Sequence, residues 1–324
     1  MIVSLRVART RNVIRSRCAR SRAPWLLLCI ASLWSSALAA QVRLLRASDN
    51  DTLPSKPATA RLAYGSDSLQ FGDLRLPEGP GPFPVAIVIH GGCWVSRFAT
   101  LRNSTAFSDA LRDEGIATWN IEYRRADSPG GGWPHTFLDV AHATDQLRAM
   151  ARTYPLDLSR VIAIGHSAGG HLAMWLAAAD HVPVASAIAR PDPLPLVGAV
   201  ALAGIADLAE FRTYSRFTCG DVVDGLMGGS PDQVPDRYAA GSPRALFPLR
   251  VPQVQVVGSE DRVMPAAARE AHRAAAIASG SPFTLVVVDG AGHHELLSPR
   301  SATWRPILAE VRRLLSPAAA TPGR

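Results

Sequence analysis

The sequence contains almost no lysine, and its first 39 residues contain no acidic side chain. Lys56 is the only lysine, so nearly all of the 34 basic residues are arginines. Seven of these arginines lie within residues 1–39, and the other residues carry 27 basic and 27 acidic groups. The formal net charge of +7 therefore comes entirely from the N-terminal segment. Charge gives no reason to expect a nucleic-acid-binding surface on the rest of the chain.

Long hydrophobic runs and dense cysteines are also missing. The longest strongly apolar run extends from Pro24 to Ala40 and is too short to predict a membrane span. Four cysteines in 324 residues exclude a small disulfide scaffold. A hydrophobic content of 48% with only 19% charged residues excludes a disordered chain. The remaining class is a globular protein with a substantial core.

The N-terminus has the pattern of a secretory signal peptide. Its arginines precede an apolar stretch, Trp25–Trp34, and small residues follow as Ala37-Leu38-Ala39-Ala40. This order predicts a signal peptide over residues 1–39, cleavage near Ala39 or Ala40, and a secreted or periplasmic protein. An organellar transit peptide and an uncleaved anchor are the alternatives. After cleavage we expect no stable membrane span.

The remaining chain divides into three predicted parts. Residues 40–60 contain Pro54, Lys56 and Pro57 among small polar residues and are predicted to form a flexible linker. Residues 61–316 are predicted to form a single α/β domain, and residues 317–324 a disordered tail.

Apolar segments of strand length alternate with helical patterns in that domain. Leu69–Leu76 is predicted as an early edge strand, and Leu208–Tyr238 as an irregular, glycine-rich cap. Six further segments are predicted as strands, nearly all of them buried: Val85–Ile89, Ala117–Tyr123, Val161–Ile164, Val197–Leu202, Val254–Val257 and Leu285–Val288. Helical spacing recurs in Phe137–Ala151, Ala168–Ala179, Pro265–Ser279 and Ser301–Leu315. This alternation predicts a mostly parallel sheet with helices on both faces, and ligands at the carboxyl ends of its strands.

A nucleophile motif follows one of these strands. Gly165-His166-Ser167-Ala168-Gly169 comes directly after Val161–Ile164 and directly before a helical pattern. G-x-S-x-G in a strand–turn–helix context places the serine on a sharp turn, where its hydroxyl is exposed to substrate. Ser167 is therefore the predicted nucleophile.

The loop after Val85–Ile89 is a candidate oxyanion hole, which is a set of backbone N–H groups that stabilise a negatively charged oxygen. It reads His90-Gly91-Gly92-Cys93-Trp94. Glycines allow the main chain to turn its N–H groups inward. Gly91, Gly92, Cys93 and Ala168 are the predicted oxyanion-hole residues.

A serine nucleophile needs a base and an acid that orients the base. His293 follows the strand Leu285–Val288 in a glycine-rich loop, and its neighbour His294 is an alternative that spacing alone does not exclude. Asp261 follows the strand Val254–Val257 and is the predicted acid; Asp207 is the main competitor and Glu260 a weaker one. The order Ser167, Asp261, His293 is the one expected of this architecture.

The sequence resembles the serine hydrolases of the α/β-hydrolase superfamily. It is most similar to the carboxylesterase and kynurenine-formamidase-like branch, which is related to hormone-sensitive lipases and feruloyl esterases. The resemblance covers about Arg61–Leu315 and rests on HGGCW at His90–Trp94, GHSAGG at Gly165–Gly170, GSEDRVMP at Gly258–Pro265 and GAGHHE at Gly290–Glu295. It implies the α/β-hydrolase fold and triad roles for Ser167, Asp261 and His293. The position of the histidine directly after a glycine favours His293 over His294.

These residues lead us to expect an exported serine hydrolase that cleaves a small-molecule carboxylic ester through an acyl-enzyme. An amidase or formamidase of the kynurenine-formamidase type is the alternative, and a non-catalytic binding module is less consistent with a complete triad. We expect no cofactor and no metal site, and the oligomeric state is not predictable. Trp94 and Trp133 are candidate pocket residues. If the protein is exported, Cys93 and Cys219 can form a disulfide; two free buried thiols explain the same sequence.

Overall fold

A computed structural model describes residues 43–316. The predicted signal peptide and the predicted C-terminal tail lie outside the described residues. The described part contains an eight-stranded sheet in the order β1-β2-β4-β3-β5-β6-β7-β8. Its strands are β1 Ala60–Ala63, β2 Phe71–Arg75, β3 Phe83–Ile89, β4 Ala117–Ile121, β5 Leu156–His166, β6 Gly198–Leu202, β7 Gln253–Gly258 and β8 Phe283–Val288.

The sheet is mostly parallel, as predicted. Strands β3 to β8 pair in parallel, whereas β1 pairs antiparallel with β2 and β2 antiparallel with β4. Every residue of β4, β6 and β7 is buried. Successive side chains of a strand point to opposite faces, so this burial requires cover on both faces of the sheet.

Nine α-helices accompany the sheet in the described part of the chain. They are α1 Ala47–Asp51, α2 Thr105–Asp113, α3 His135–Met150, α4 Ala168–Leu176, α5 Leu208–Ser215, α6 Val222–Met227, α7 Pro235–Gly241, α8 Ala266–Ser279 and α9 Trp304–Leu315. Aromatic contacts join neighbouring helices: Phe107 of α2 meets Trp304 of α9 edge to face at 5.5 Å, and Phe137 of α3 meets Trp175 of α4 at 5.1 Å. No described helix is long and apolar enough to cross a membrane.

Two strand predictions were wrong in position. Residues Phe71–Arg75 lie inside the sheet, because the unpredicted strand β1 takes the edge. Strand β8 was predicted to be buried, but it forms the opposite edge, and Val287 is 48% exposed. Its continuous run of valines resembles that of a central strand, and the sequence alone does not show which strand has only one neighbour.

Two predictions of irregular structure were also wrong. The cap between Asp207 and Ser242 contains the three short helices α5, α6 and α7. The described part of the predicted linker contains helix α1, in which Asn50 is only 1% exposed. Short helices have weak sequence signals, because they depend on tertiary contacts more than on helix propensity.

His272 of α8 is buried without a hydrogen-bond partner on either ring nitrogen. Its ring stacks on Phe247 at 5.3 Å and meets Phe283 edge to face at 4.7 Å. Burial, together with the positive charge of Arg244, lowers the pKa of His272 from 6.5 to about 4. Between about pH 4 and pH 6.5, the unfolded chain therefore binds more protons than the folded chain. The stability contributed by neutral His272 is therefore present above about pH 6.5 and is lost as the pH falls towards 4.

We expect His272→Phe to raise the free energy of unfolding by about 1–2 kcal/mol at neutral pH, because it removes an unpaired buried polar group. The gain should increase as the pH is lowered from 6.5 to 4, since phenylalanine does not titrate. Urea unfolding at several pH values measures both effects. His142→Phe, at an exposed position of α3, is the control. A gain that did not change with pH would contradict the assigned titration.

Candidate active site

Ser167 lies at the turn between β5 and α4 with a positive φ of 53° and a ψ of −115°. A non-glycine residue pays a conformational cost there, so the surrounding structure must hold it in place. Its backbone N–H donates to Leu202 of β6 at 2.8 Å, and its carbonyl accepts from His171 at 3.0 Å. The turn thus presents the serine side chain at the carboxyl end of β5, as the motif predicts.

The two outer glycines of the motif are required by close backbone contacts. A Cβ on Gly165 would lie 2.1 Å from the carbonyl oxygen of Gly169, and a Cβ on Gly169 would lie 2.1 Å from that of Ile89. Any larger residue would separate α4 from β5 or from β3. The two glycines therefore flank the serine at this spacing for a direct steric reason.

We expect Gly169→Ala to lower the free energy of unfolding by roughly 2–4 kcal/mol, because the new methyl group meets backbone atoms that cannot move aside. Gly225→Ala is the matched control: Gly225 lies within helix α6, and a Cβ there meets nothing within 4 Å. That control should be neutral or stabilising by up to about 1 kcal/mol. Equal stability of the two variants in chemical denaturation would contradict the steric explanation.

His293 and Asp261 are hydrogen-bonded to each other. His293 Nδ1 lies 2.8 Å from Asp261 Oδ2, and the side chain of Asp261 is fully buried. The other carboxylate oxygen, Oδ1, accepts the backbone N–H groups of Val263 at 2.7 Å and Met264 at 2.9 Å. Burial raises the pKa of Asp261, but the hydrogen bond and charge of His293 and these two N–H groups bring that pKa below its ordinary value. The carboxylate is therefore ionised and fixes the His293 ring.

Ser167 and His293 line the same cavity, which has a volume of about 200 Å³. Ser167 is 3% exposed and His293 9% exposed. Within residues 43–316, no hydrogen bond joins the Ser167 hydroxyl to His293. In serine hydrolases without a bound substrate this contact is often long, and it shortens when the substrate binds.

The oxyanion loop continues the wall of this cavity. Gly92 has φ 99°, Cys93 φ 52° and Trp94 φ 54°, so three consecutive residues have a positive φ. Gly92 and Cys93 line the cavity beside Ser167. Among the hydrogen bonds of the described residues, none uses the backbone N–H of Gly92, Cys93 or Ala168. These N–H groups are therefore available to a ligand.

Gly91 holds the loop close to the nucleophile without lining the cavity. A Cβ at this position would lie 2.7 Å from the carbonyl oxygen of His166 and 3.3 Å from the Cβ of Ser167. Gly91 is thus required for the close approach of the loop to β5, whereas its neighbours Gly92 and Cys93 line the cavity.

A buried network of polar side chains holds the first residue of the oxyanion loop, His90. His90 Nε2 lies 2.8 Å from Glu122 Oε1, which also accepts from Arg125 Nη1 at 2.6 Å. Glu122 Oε2 accepts the backbone N–H of Leu101 at 3.1 Å. Burial raises the pKa of Glu122, but His90, Arg125 and the Leu101 N–H lower it to about 2 in total. His90 is fully buried and bonded to Glu122, so it supports the start of the loop and does not line the cavity.

Cys93 and Cys219 are joined by a disulfide bond, with their Cα atoms 5.8 Å apart. Of the two alternatives left open by the sequence, the structure contains the bonded form. The bond connects the oxyanion loop to the cap, and both cysteines line the cavity.

The competing acids are engaged elsewhere. Asp207 Oδ1 caps helix α5 by accepting the N–H of Glu210 at 2.9 Å, and its Oδ2 accepts from Arg244 at 2.6 Å. Glu260 is bonded to no histidine; its side chain lies 3.5 Å from the Ser259 hydroxyl. The structure therefore brings only Asp261, of the three predicted acids, to a histidine.

His294 is also separated from the acid. Its Nδ1 is buried without a partner, and burial together with the nearby His293 lowers the pKa of His294 to about 4. His166 bonds through Nε2 to the carbonyl oxygen of His293 at 3.0 Å, so this nitrogen must carry the proton. Burial, His293 and His294 together lower the pKa of His166 well below its ordinary value. His166 thus holds the main chain of the His293 loop as a neutral imidazole.

Both tryptophan predictions were wrong. Trp94 is fully buried and packs edge to face on His171 at 5.3 Å and on Phe211 at 5.9 Å. Trp133 packs on Phe137 at 5.4 Å. Neither side chain lines the cavity that contains Ser167, because Trp94 belongs to the core and the partly buried Trp133 packs against that core.

The sequence model of the BD-FAE family matches residues 73–274, which include Ser167, Asp261 and the oxyanion loop. The matched range covers more than half of the chain. The chain belongs to the BD-FAE family. No curated protein is similar enough to this BD-FAE sequence to match it.

Solved structures share the fold of this BD-FAE protein at low identity. A truncated carbohydrate esterase from gut microbiota is 20% identical, with a TM-score of 0.67 over 81% of this chain and 99% of that one. A thermophilic esterase of Thermogutta terrifontis is 18% identical, with a TM-score of 0.64 over 81% and 95%. Esterase B of Lactobacillus rhamnosis is 17% identical, with a TM-score of 0.68 over 83% and 90%. These likenesses establish the α/β-hydrolase fold.

Several residues that line the BD-FAE cavity were not predicted. They come from four separate segments and are Ala47, Phe98, Asn103, Thr218 and Val263. Val263 lies within the GSEDRVMP motif but has no side-chain chemistry that marks it, and the other four belong to no recognisable motif, so only their positions in the folded chain reveal them. Within residues 43–316, no group of three or more His, Cys, Asp or Glu residues is arranged to hold a metal ion.

Proposed function

We propose that this protein is a serine esterase that transfers the acyl group of a carboxylic ester to water through an acyl-enzyme on Ser167. The observation that carries the proposal is the placement of a strained serine, an Asp261-bound His293 and unpaired backbone N–H groups around one cavity. Membership of the BD-FAE family supports it, and so does the similarity in fold to three proteins that are named as esterases.

In the first step, the Ser167 hydroxyl attacks the ester carbonyl while His293 Nε2 takes its proton. The carbonyl oxygen becomes an oxyanion and accepts hydrogen bonds from the N–H groups of Ala168 and of Gly92 or Cys93. Asp261 stabilises the imidazolium through Nδ1, and the imidazolium then protonates the departing alcohol.

In the second step, water attacks the acyl-enzyme, and His293 accepts the proton of the water. Collapse of the intermediate releases the carboxylic acid and returns the proton to Ser167. Each step leaves charge and proton count balanced without a cofactor.

The small cavity favours a compact acyl group. With a volume of about 200 Å³, it is smaller than the usual site for a drug-sized ligand, which is about 300–1,000 Å³. We therefore propose short-chain acyl esters. The similarity to a carbohydrate esterase suggests an acyl group carried on a carbohydrate as the substrate class. A phosphonate inhibitor derived from tributyrin is bound to esterase B.

A panel of substrates tests this function on the wild-type chain. It comprises 4-nitrophenyl esters of increasing acyl length, acetylated and feruloylated oligosaccharides, and N-formylkynurenine. We expect the highest kcat/KM on short esters. A preference for the formamide would instead assign the alternative amidase function, and no hydrolysis of any substrate would overturn the proposal.

A fluorophosphonate probe tests the nucleophile independently of the natural substrate. We expect a stoichiometric adduct on the peptide that contains Ser167, and slower labelling in the presence of the best ester. Heat-unfolded protein is the control, since the reactivity depends on the folded site. An adduct on another serine would contradict the assignment.

Export is the second part of the proposal and rests on residues 1–39. We propose that the mature protein begins near Ala40 outside the cytoplasm, where the disulfide bond forms. N-terminal sequencing of protein recovered from the periplasm or medium tests it. A product that starts at Met1 in the cytoplasm would contradict it.

A further inference from the structure

The segment at residues 43–53, which we call the N-terminal strap, contacts both sides of the candidate active site. It contains helix α1 and precedes the range matched by the BD-FAE model, which begins at residue 73. The matched range therefore does not include it. Ala47 of the strap nevertheless lines the cavity that contains Ser167 and His293.

On one side, the strap is bonded to the loop that carries His293. Asn50 Nδ2 donates to the carbonyl oxygen of His294 at 2.9 Å. The backbone N–H of Leu45 donates to Glu295 Oε1, and Glu295 Oε2 accepts the N–H of Gly292 at 3.1 Å. The strap thus holds the residues immediately before and after the proposed base.

Leu44 adds an apolar contact at the same place. A Cβ on Gly292 would lie 3.1 Å from Leu44 Cδ1 and 2.8 Å from Glu295 Oε2. Gly292 is therefore enclosed by the strap and by Glu295. This packing restricts the main chain next to His293.

On the other side, the strap is bonded to the short 3₁₀ helix Leu101–Ser104. Asn103 Nδ2 donates to the carbonyl oxygen of Ala47 at 2.8 Å and to Asp51 Oδ1 at 3.2 Å. Arg102 Nε donates to the carbonyl oxygen of Asp51 at 3.1 Å. Asn103 is 2% exposed and also lines the cavity.

The same 3₁₀ helix connects to the oxyanion loop. The backbone N–H of Leu101 donates to Glu122, and Glu122 holds His90 at the start of that loop. A continuous series of contacts therefore extends from the His293 loop through the strap and the 3₁₀ helix to the oxyanion loop. The strap is the part of this series that closes one side of the cavity.

We propose that the N-terminal strap is part of the active site, in which Asn50 is a positioning residue for His293 and Ala47 limits the size of the ester that the cavity accepts. The proposal rests on the proposed esterase function. Asn50 is 1% exposed and cannot exchange its bond to His294 for one to water without opening the strap. Ala47 presents only a methyl group to the cavity, so substitution there changes the cavity volume directly.

Two variants separate the two roles. Asn50→Ala should lower kcat about tenfold to 100-fold with little change in KM, because a small displacement of the base reduces the rate of the chemical step. The pH profile of kcat/KM and the downfield proton resonance of the His293–Asp261 hydrogen bond should also change. Ala47→Leu should leave kcat/KM for acetyl esters within about threefold and lower it at least tenfold for the longest esters that the wild type accepts.

Lys56→Gln is the control, because Lys56 lies just beyond the strap and pairs with Asp113 on the surface. It should change neither kcat, nor the pH profile, nor the ranking of substrates. If Asn50→Ala does not fold, Ala47→Leu still tests the cavity wall. Wild-type kinetics and an unchanged proton resonance in both strap variants would overturn the inference. An inactive wild type would instead overturn the proposed esterase function.

Discussion

Replacing Ser167 with alanine should lower kcat by about 10⁴-fold to 10⁶-fold on every ester that the wild type hydrolyses. The substitution removes the only atom that forms the acyl-enzyme, whereas the oxyanion donors and His293 remain. Any residual rate should show no burst of alcohol release, because no covalent intermediate accumulates. Stopped-flow kinetics with a 4-nitrophenyl ester measures both the rate and the burst.

Ser108→Ala is the matched control for this prediction. Ser108 is also a buried serine, but it lies on helix α2, and its hydroxyl donates to the carbonyl oxygen of Ser104 at 2.9 Å. We expect wild-type kcat for this variant and similar melting temperatures for both. Retention of more than about one hundredth of wild-type activity by Ser167→Ala would show that another residue attacks the ester.

Replacing Asp261 with asparagine should lower kcat by about 10³-fold to 10⁴-fold, with little effect on KM. Asparagine has nearly the same shape, but its NH₂ group can donate to His293 Nδ1, which then accepts. The proton of the neutral ring would move to Nε2, the atom that must accept the proton of Ser167. The activity is therefore lost because the His293 ring has the wrong tautomer and because no negative charge stabilises the imidazolium.

Asp207→Asn separates the two acids that the sequence left in competition. The amide oxygen can still cap helix α5, and only the ion pair between Asp207 and Arg244 is weakened. We expect activity within about threefold of wild type and a stability loss of about 1 kcal/mol or less. A larger rate loss in Asp207→Asn than in Asp261→Asn would show that the acid is assigned to the wrong strand.

The Asp261–His293 pair also predicts how stability changes at low pH. The pKa of folded Asp261 lies below its ordinary value, so its stabilising contribution is present above that ordinary value and is lost as the pH falls through the folded pKa. Asp261→Asn should therefore flatten the acid limb of the stability curve. Asparagine does not ionise at any of these pH values.

Much of the fold and the site could be predicted from sequence because each depended on local steric or periodic constraints. Gly165 and Gly169 are required by backbone contacts within 2.1 Å, and this requirement leaves a readable spacing. The central strands are buried on both faces, so they appear as continuous apolar runs. The edge strands β1 and β8 were not recognised as edges, because an edge is defined by the absence of a neighbour and not by the residues of the strand.

Trp94 and Trp133 show why pocket residues are harder to predict than catalytic ones. Both lie in sequence next to glycine-rich loops near the site, yet Trp94 is buried in the core and Trp133 packs against it. Large aromatic side chains bury much apolar area both in pockets and in the core, so the presence of a tryptophan does not show which of the two it lines.

The sequence by itself determined where the candidate residues lie: a serine on a strand-to-helix turn, glycines in the loop after another strand, and an acid and a histidine at later strand ends. Each depends on residues close together in the chain. Only the tertiary structure showed that Asp261, and neither Asp207 nor Glu260, is bonded to His293, and that Cys93 and Cys219 form a disulfide bond. It also showed that residues 43–53 contain a helix and contribute Ala47 to the cavity, where a flexible linker was predicted. These outcomes depend on which distant segments meet, and a contact such as that between Asn50 and His294, 244 residues apart, has no local signature.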